Sequence, residues 1–239
     1  MKLTLFMFLI LVGTFHDQQD TTRLSAKEPD RSSTRTGSVS GKIELAKTLN
    51  TGPSPHAMAH THPYGIPVMS AHSLPVTNEY ANVVVYLEAG KKMREPLQET
   101  AHAKIDQRNA EFFPHVLPIR VGTVVDFVNR DNVYHNVFSL SPAKKFNIGR
   151  RPTGKAVPVV FDKPGVVEIF CDIHSNMAAF VLVLENDYFT LPDNDGNYII
   201  EHVPPGVYTI KAWHEHLVCN EQTITIVPDS TSNVNFMME

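Results

Sequence analysis

The amino-acid sequence predicts an all-β fold. From Ser38 onward, short runs of alternating or β-branched residues are separated by Gly, Pro, Asn and Asp, which is the pattern of strands joined by turns. No segment has a sustained helical period, apart from a weak one between Glu95 and Arg108. This pattern favours antiparallel sandwiches over a parallel sheet with crossover helices. The predicted strands are residues 39–45, 82–87, 116–121, 124–129, 133–140, 157–161, 166–170, 180–184, 198–202, 206–213, 222–227 and 232–236.

The composition allows real hydrophobic cores and argues against one class of partner. With 239 residues, of which 42% are hydrophobic and 19% charged, the chain is long enough for one large domain or two modest ones. A formal net charge of -4 provides no basic surface of the kind that nucleic-acid binding requires. We therefore expect neither DNA nor RNA as a partner.

The N-terminal segment has the pattern of a secretory signal peptide. Met1 and Lys2 precede a nearly unbroken apolar stretch that ends at Phe15, and a polar run follows from His16. The stretch is shorter than the ~20 residues of a membrane-spanning helix, so a stable membrane span is the less favoured alternative. We predict a signal peptide over residues 1–16, a flexible polar tether over residues 17–37, and a periplasmic or extracellular protein.

One short segment combines three metal-binding side chains. Cys171, His174 and Met177 form a Cys-x2-His-x2-Met loop between a strand that ends at Phe170 and another that begins near Ala179. Thiolate and thioether favour Cu(I), while imidazole binds both copper oxidation states, so this mixture suits a redox-active copper ion. Structural zinc, the alternative metal, prefers two or more cysteines and rarely uses methionine.

A trigonal copper site needs a second imidazole, and His135 is the candidate. It follows an Asp-Asn turn and enters an alternating stretch, Val133 to Leu140. His135 can lie beside the later loop if the two strands are neighbours in a Greek-key sandwich. Each donor alone has an ordinary explanation, since a lone cysteine is more often buried or disulfide-bonded, here with Cys219, and a lone methionine fills a core.

These motifs resemble the cupredoxin family, the blue copper proteins that include plastocyanin, amicyanin and pseudoazurin. The resemblance covers roughly residues 103–186 and includes Phe113-Pro114, a Gly-Thr-Val-Val-Asp-Phe run from Gly122, and Pro164-Gly165-Val166. It implies one type-1 copper held by His135, Cys171 and His174 in a plane, with Met177 as axial ligand. It also implies that Asn136 hydrogen-bonds to the cysteine loop and that His174 provides the path for the electron.

The C-terminal stretch resembles a second, smaller sandwich, the carboxypeptidase regulatory-like or transthyretin-like module. An Asp-Gly turn before Tyr198 and a Pro-Pro-Gly turn at Gly206 carry this resemblance. The strands with which that family begins appear far upstream, at residues 37–43 and 81–86. We therefore predict a discontinuous sandwich of residues 38–90 and 187–239 with a cupredoxin domain, residues 91–186, inserted between its parts. In the alternative arrangement the first two strands join the cupredoxin sheet. The combination resembles exported proteins of the methylamine-utilisation type.

Two further histidine groups are candidates for secondary metal binding. A Pro- and His-rich loop over residues 50–80 is as well explained as an ordinary polar loop, and a pair after Trp213 is better explained by its turn location. The candidate side chains are His56, His60, His62, His72, His214 and His216.

Together these patterns predict an exported copper protein that transfers single electrons to or from an unidentified redox partner. We do not expect an enzyme, because a type-1 site has no open position for substrate and a trinuclear-cluster motif is missing. The first alternative is copper storage or delivery without electron transfer. The second is an adhesion or scaffold protein that keeps the fold for packing only.

Overall fold

A computed structural model describes residues 35–46, 78–89 and 100–239. This part of the chain is all-β, as predicted, with one short 3-10 turn at Glu79–Asn82. Among these residues no helix is long and apolar enough to cross a membrane. The strands are β1 (Gly37–Leu45), β2 (Val84–Ala89), β3 (His102–Arg108), β4 (Glu111–Phe113), β5 (Val116–Arg120), β6 (Val124–Asn129), β7 (Phe138–Ser139), β8 (Phe146–Asn147), β9 (Val157–Val160), β10 (Gly165–Phe170), β11 (Ala178–Leu184), β12 (Phe189–Thr190), β13 (Asn197–Val203), β14 (Gly206–Trp213), β15 (Gln222–Ile226), β16 (Thr231–Asn233) and β17 (Phe236–Met238).

Two sheets from the middle of the chain share one hydrophobic core. One sheet has the strand order β4-β3-β6-β9, and the other has the order β5-β11-β10-β7-β8. Inward-facing residues of both sheets, such as Ile105 and Phe127 from the first and Ile169 and Val181 from the second, pack in a single buried cluster. Alternating side chains on facing sheets produce such a core. Cys171 and Met177 belong to the same cluster, so this sandwich holds the predicted site.

Two further sheets combine the first two strands with the C-terminal ones. β1 lies between β13 and β16 and also pairs with β17, while the second sheet has the order β12-β2-β14-β15. Their core contains Val39, Leu87, Ile200 and Ile210. β1 and β2 thus pair with strands from residues 189–238, which are the partners that a discontinuous sandwich requires. The domain boundaries and the transthyretin-like identity of this part stay predictions.

A third cluster joins the two pairs of sheets. Val84 of β2 packs with Val116 of β5 and Leu182 of β11, and the Trp213 ring at the end of β14 lies 5.5 Å from the Phe180 ring between centroids. A polar contact lies beside it, because His115 Nε2 is 2.7 Å from Glu215 Oε1. The sheet that carries the Cys171 strand is therefore packed on its outer face against β2 and β14.

Two sequence-based expectations need correction. The segment with a weak helical period, Glu95 to Arg108, contains β3, in which Ile105 and Gln107 are buried and their neighbours are more exposed, so the period is two. The predicted strand 133–140 is reduced to β7 and a single bridge between His135 and Arg151, because the backbone turns to direct His135 inward. Residues 1–34 and most of the 50–80 loop lie outside the described part. Gly37, expected at the end of the tether, begins β1.

Candidate metal centre

Strand pairing brings the two loops of the candidate site together. The first loop joins β6 to β7 and carries His135, and the second joins β10 to β11 and carries the other three candidates. β7 and β10 are antiparallel neighbours, with Phe138 opposite Phe170. Phe138 lies three residues after His135, and Phe170 immediately precedes Cys171. This pairing therefore places the two loops at the same end of the sandwich.

The loop from Cys171 to Met177 is the turn of an antiparallel hairpin. β10 and β11 pair up to Phe170 opposite Ala178, so Cys171 and Met177 leave adjacent strands. The Cys171 amide donates to the Met177 carbonyl at 3.3 Å, and the Met177 amide donates to the His174 carbonyl at 3.1 Å. These backbone bonds close the loop and keep its side chains on one side.

Three donor atoms converge on one point. His135 Nδ1 lies 3.0 Å from His174 Nδ1, and Cys171 Sγ lies 4.0 Å and 3.8 Å from those two nitrogens respectively. A circle through the three atoms has a radius of about 2.1 Å, which matches the ~2.0–2.3 Å at which imidazole and thiolate hold a small metal ion. Within the described ranges this is the one group of three or more His, Cys, Asp or Glu side chains with such spacing.

The four candidate ligands differ in their access to solvent. His135, Cys171 and Met177 are buried, with His135 at 0% exposure, whereas His174 is only half-buried. Burial, and then the neighbouring His135, lower the pKa of the His174 imidazole. A lowered pKa favours the neutral form that a metal ion binds. His174 is thus the only one of the four side chains that reaches the surface.

Asp131 contacts the site and was missed from the sequence. His135 Nε2 lies 2.8 Å from Asp131 Oδ2, while the two Asp131 oxygens accept backbone N–H bonds from Asn109 at 2.7 Å and Ala110 at 2.9 Å. Burial would raise the pKa of Asp131, but the bonds from Ala110, His135 and Asn109 outweigh it and the pKa is lowered. The available signal was an aspartate four residues before a ligand histidine.

Asn129 organises the backbone of the His135 loop. Its Nδ2 donates to the carbonyls of Val133 at 2.7 Å and Arg151 at 3.0 Å, and its Oδ1 accepts from the Asp131 amide at 2.9 Å. The Arg151 carbonyl also accepts from the His135 amide at 3.1 Å. Asn129 therefore connects the segments on either side of His135, the candidate ligand.

Asn136 is buried beside the site. Its Oδ1 has no hydrogen-bond partner in the described part of the protein. The predicted hydrogen bond from Asn136 to the cysteine loop stays a prediction.

The secondary histidine candidates do not form a metal group in the described residues. His214 is buried, with Nδ1 accepting backbone bonds from His216 and Leu217, and its Nε2 lies 3.6 Å from a Glu79 carboxylate oxygen. His216 Nε2 is 3.5 Å from a Glu215 oxygen. The other four candidates, His56, His60, His62 and His72, lie outside the described residues.

The second cysteine is separate from the site. Both cysteines are free, so no disulfide joins Cys171 to Cys219. Cys219 is half-buried, with Sγ 3.5 Å from the Ala212 carbonyl oxygen, and burial raises the pKa of its thiol.

No protein-family model and no curated protein matches the chain. Among solved structures, the chain is similar to a purple cupredoxin from Nitrosopumilus maritimus, with 30% identity, a TM-score of 0.32, and coverage of 34% of this chain and 99% of that one. A copper-containing nitrite reductase from Thermus scotoductus SA-01 has 27% identity and a TM-score of 0.34, over 43% of this chain and 26% of the reductase. An oxidised mutant of amicyanin has 20% identity and a TM-score of 0.33, over 34% of this chain and 81% of that protein. These structural neighbours are cupredoxins, and each is similar to only part of this chain.

Proposed function

We propose that the chain is a type-1 copper protein that transfers single electrons, with His135, Cys171 and His174 as equatorial ligands and Met177 as axial ligand. The observation that carries this proposal is the convergence of two imidazole nitrogens and one thiol sulfur, 3.0 to 4.0 Å apart, from two loops. A trigonal set of two imidazoles and a thiolate with a weak thioether is the donor set of blue copper.

The donor chemistry favours copper over zinc. A structural zinc site is closed by four strong ligands, usually with two or more cysteines. Here the fourth candidate is the thioether of Met177, which is 1% exposed and packs in the same cluster as Cys171. A buried thioether beside a thiol suits a soft, redox-active ion.

The residues around the ligands support electron transfer rather than catalysis. When bound, copper supplies one reversible one-electron step. Hydrogen bonds from Asn129 restrain the His135 loop, and backbone bonds restrain the loop from Cys171 to Met177. Such restraint favours a donor arrangement that changes little between the two copper oxidation states. Burial of His135 and Cys171 excludes substrate from that side. We therefore propose no catalytic step for the chain itself.

The half-buried His174 is the proposed route for the electron. Ile173 beside it and Tyr134 beside His135 are both exposed, at 38% and 59%. Exposed apolar and aromatic side chains that adjoin candidate ligands in the chain suit brief contact with another redox protein. The proposed partner is therefore a protein electron donor or acceptor. We also propose that the protein is exported, because of the N-terminal pattern of Met1 to Phe15.

The first experiment compares Cys171→Ser with Cys219→Ser in the copper-loaded protein. Both remove one free thiol, but only Cys171 lies within 4.0 Å of the ligand imidazoles. We expect the wild-type protein and Cys219→Ser to show intense visible absorption from thiolate-to-copper charge transfer, and Cys171→Ser to lose it. A colourless Cu(II) wild-type protein, or colour that survives in Cys171→Ser, would contradict the proposal.

Metal stoichiometry separates electron transfer from storage or delivery. One copper per chain, reversibly reduced and retained in the presence of a Cu(I) chelator, is expected for electron transfer. More than one tightly held ion, or rapid loss to the chelator, would support storage or delivery instead. A wild-type protein that folds but never takes up metal would support the scaffold alternative.

A further inference from the structure

Among the residues that the structure describes, Asp131 is the one hydrogen-bond partner of Nε2 of the His135 ring. His135 is completely buried, so its Nε2 has no access to bulk water, and the Asp131 carboxylate lies 2.8 Å away. A buried N–H without an acceptor is unfavourable, and a carboxylate can only accept, so this contact favours the tautomer that carries its proton on Nε2.

The carboxylate is itself held from the opposite side by a tight turn. Asn109 and Ala110 join β3 to β4, and both adopt left-handed backbone conformations, with φ of 56° and 55°. Left-handed backbone is uncommon for alanine. The two successive amides donate to different oxygens of Asp131, at 2.7 Å and 2.9 Å.

The Asp131 backbone is anchored as well. Its amide donates to Asn129 Oδ1 at 2.9 Å, and its carbonyl oxygen accepts a short bond from the Thr153 hydroxyl. Both side-chain oxygens and both backbone groups of Asp131 thus have hydrogen-bond partners, which restrain the orientation of its carboxylate. It faces a ring whose other nitrogen, Nδ1, points to Cys171 and His174.

We propose that Asp131 is a positioning residue of the metal centre, which holds the proton of His135 on Nε2, leaves Nδ1 as the donor, and lowers the reduction potential of the bound copper. This inference rests on the proposed function. A carboxylate that accepts a hydrogen bond from a ligand imidazole fixes its tautomer and increases its basicity. A more basic ligand with a negative charge behind it favours Cu(II) over Cu(I).

The first test requires no variant and no copper. Nitrogen NMR of the histidine side chains in the metal-free wild-type protein distinguishes a proton on Nε2 from one on Nδ1. We expect the neutral His135 ring to carry its proton on Nε2. A proton on Nδ1 would overturn the proposal, whether or not the protein proves to be a copper protein.

The second test measures the reduction potential of Asp131→Asn against Asp172→Asn. Asp172 follows Cys171 directly and is a matched control, because its carboxylate pairs with Arg150 at 3.9 Å. Loss of such a carboxylate contact typically weakens metal binding 10–100-fold. Because the lost carboxylate charge stabilises Cu(II) more than Cu(I), we expect this loss to fall on Cu(II), so that Asp131→Asn reduces the preference for Cu(II) over Cu(I) by tenfold or more. Converted for a one-electron couple, this is a rise in potential of about 59 mV or more. The shift for Asp172→Asn should be less than half of this.

The outcomes distinguish this inference from the proposed function. Blue wild-type protein with equal potentials in wild type and Asp131→Asn, or equal shifts in both variants, would refute the role of Asp131 and leave the copper proposal intact. Wild-type protein that binds no copper would refute the proposed function, and the NMR measurement would still decide the tautomer. If Asp131→Asn fails to fold, the tautomer in the wild-type protein decides alone.

Discussion

Replacement of Asn129 by alanine should destabilise the protein and weaken the metal site together. Asn129 is 2% exposed and makes three hydrogen bonds to the backbone of the His135 loop. The variant leaves the Val133 carbonyl and the Asp131 amide without this partner, whereas the Arg151 carbonyl keeps its bond with the His135 amide. Both of these hydrogen bonds are only partly buried, so at about 0.5–1.5 kcal/mol each their loss predicts a decrease of roughly 1–3 kcal/mol in the free energy of unfolding.

Urea unfolding measures this loss. With a denaturant dependence of about 2 kcal/mol per molar, the urea midpoint for Asn129→Ala should fall by about 0.5–1.5 M. Asn147→Ala is the control, because its exposed side chain accepts one bond, from the Gly149 amide at 2.8 Å, and its cost should stay under about 0.5 kcal/mol. A midpoint for Asn129→Ala that equals that of the control would refute the reasoning.

The same loop carries His135, the proposed ligand, so we expect the two effects to be linked. We expect Asn129→Ala to weaken binding of Zn²⁺, a colourless probe of the same donors, by tenfold or more. Unchanged affinity together with reduced stability would mean that the hydrogen bonds hold the fold but do not position His135.

Two further predictions concern the packing of the sheets. Burial would lower the pKa of His115, but the hydrogen bond and charge of Glu215 raise it above 6.5, and His115 in turn lowers the pKa of Glu215 below 4.5 against the effect of burial. The stabilisation from His115 is complete below pH 6.5 and is lost as the pH rises through the raised pKa of His115. The stabilisation from Glu215 is complete above pH 4.5 and is lost as the pH falls through the lowered pKa of Glu215. Glu215→Gln should therefore reduce the free energy of unfolding most between pH 4.5 and 6.5, by up to about 1 kcal/mol in urea unfolding. A reduction that does not depend on pH would contradict this. In β1, Gly41→Ala should cost more than about 3 kcal/mol in the same assay, because the added Cβ would lie 1.6 Å from the Val234 carbonyl oxygen. In Gly206→Ala the nearest atom lies at 3.2 Å, in the Tyr208 ring, and equal losses for the two variants would refute the argument.

The sequence alone predicted most strands of the described residues, and β3 is the longest strand that it missed. β6 and β14 have the predicted bounds because their alternating or apolar runs end at turn residues. β3 was missed because Ala103, Ile105 and Gln107 alternate only weakly with their neighbours, and a buried glutamine hides the period. Its place in the sheet comes from parallel pairing with β6, which is a long-range contact.

The candidate donors were determined by the sequence itself. Cys171, His174 and Met177 lie on one hairpin loop, so their identity and spacing already place three metal-binding groups within a few residues of each other. The chemistry of thiolate, imidazole and thioether does not depend on the rest of the fold. His135 could be added as a candidate because a second imidazole was needed, but its distance to Cys171 was a hypothesis until β7 and β10 were seen to pair.

The tertiary structure alone decided what surrounds those donors. Asp131 faces His135 because the turn at Asn109 and Ala110, more than 20 residues earlier, directs two amides at its carboxylate. Hydrogen bonds between distant segments depend on how sheets pack and which backbone groups are left unpaired, and no local pattern of residue types records this. The residue types therefore determined which candidate donors the chain contains, and the packing determined which nitrogen of His135 faces Cys171 and His174.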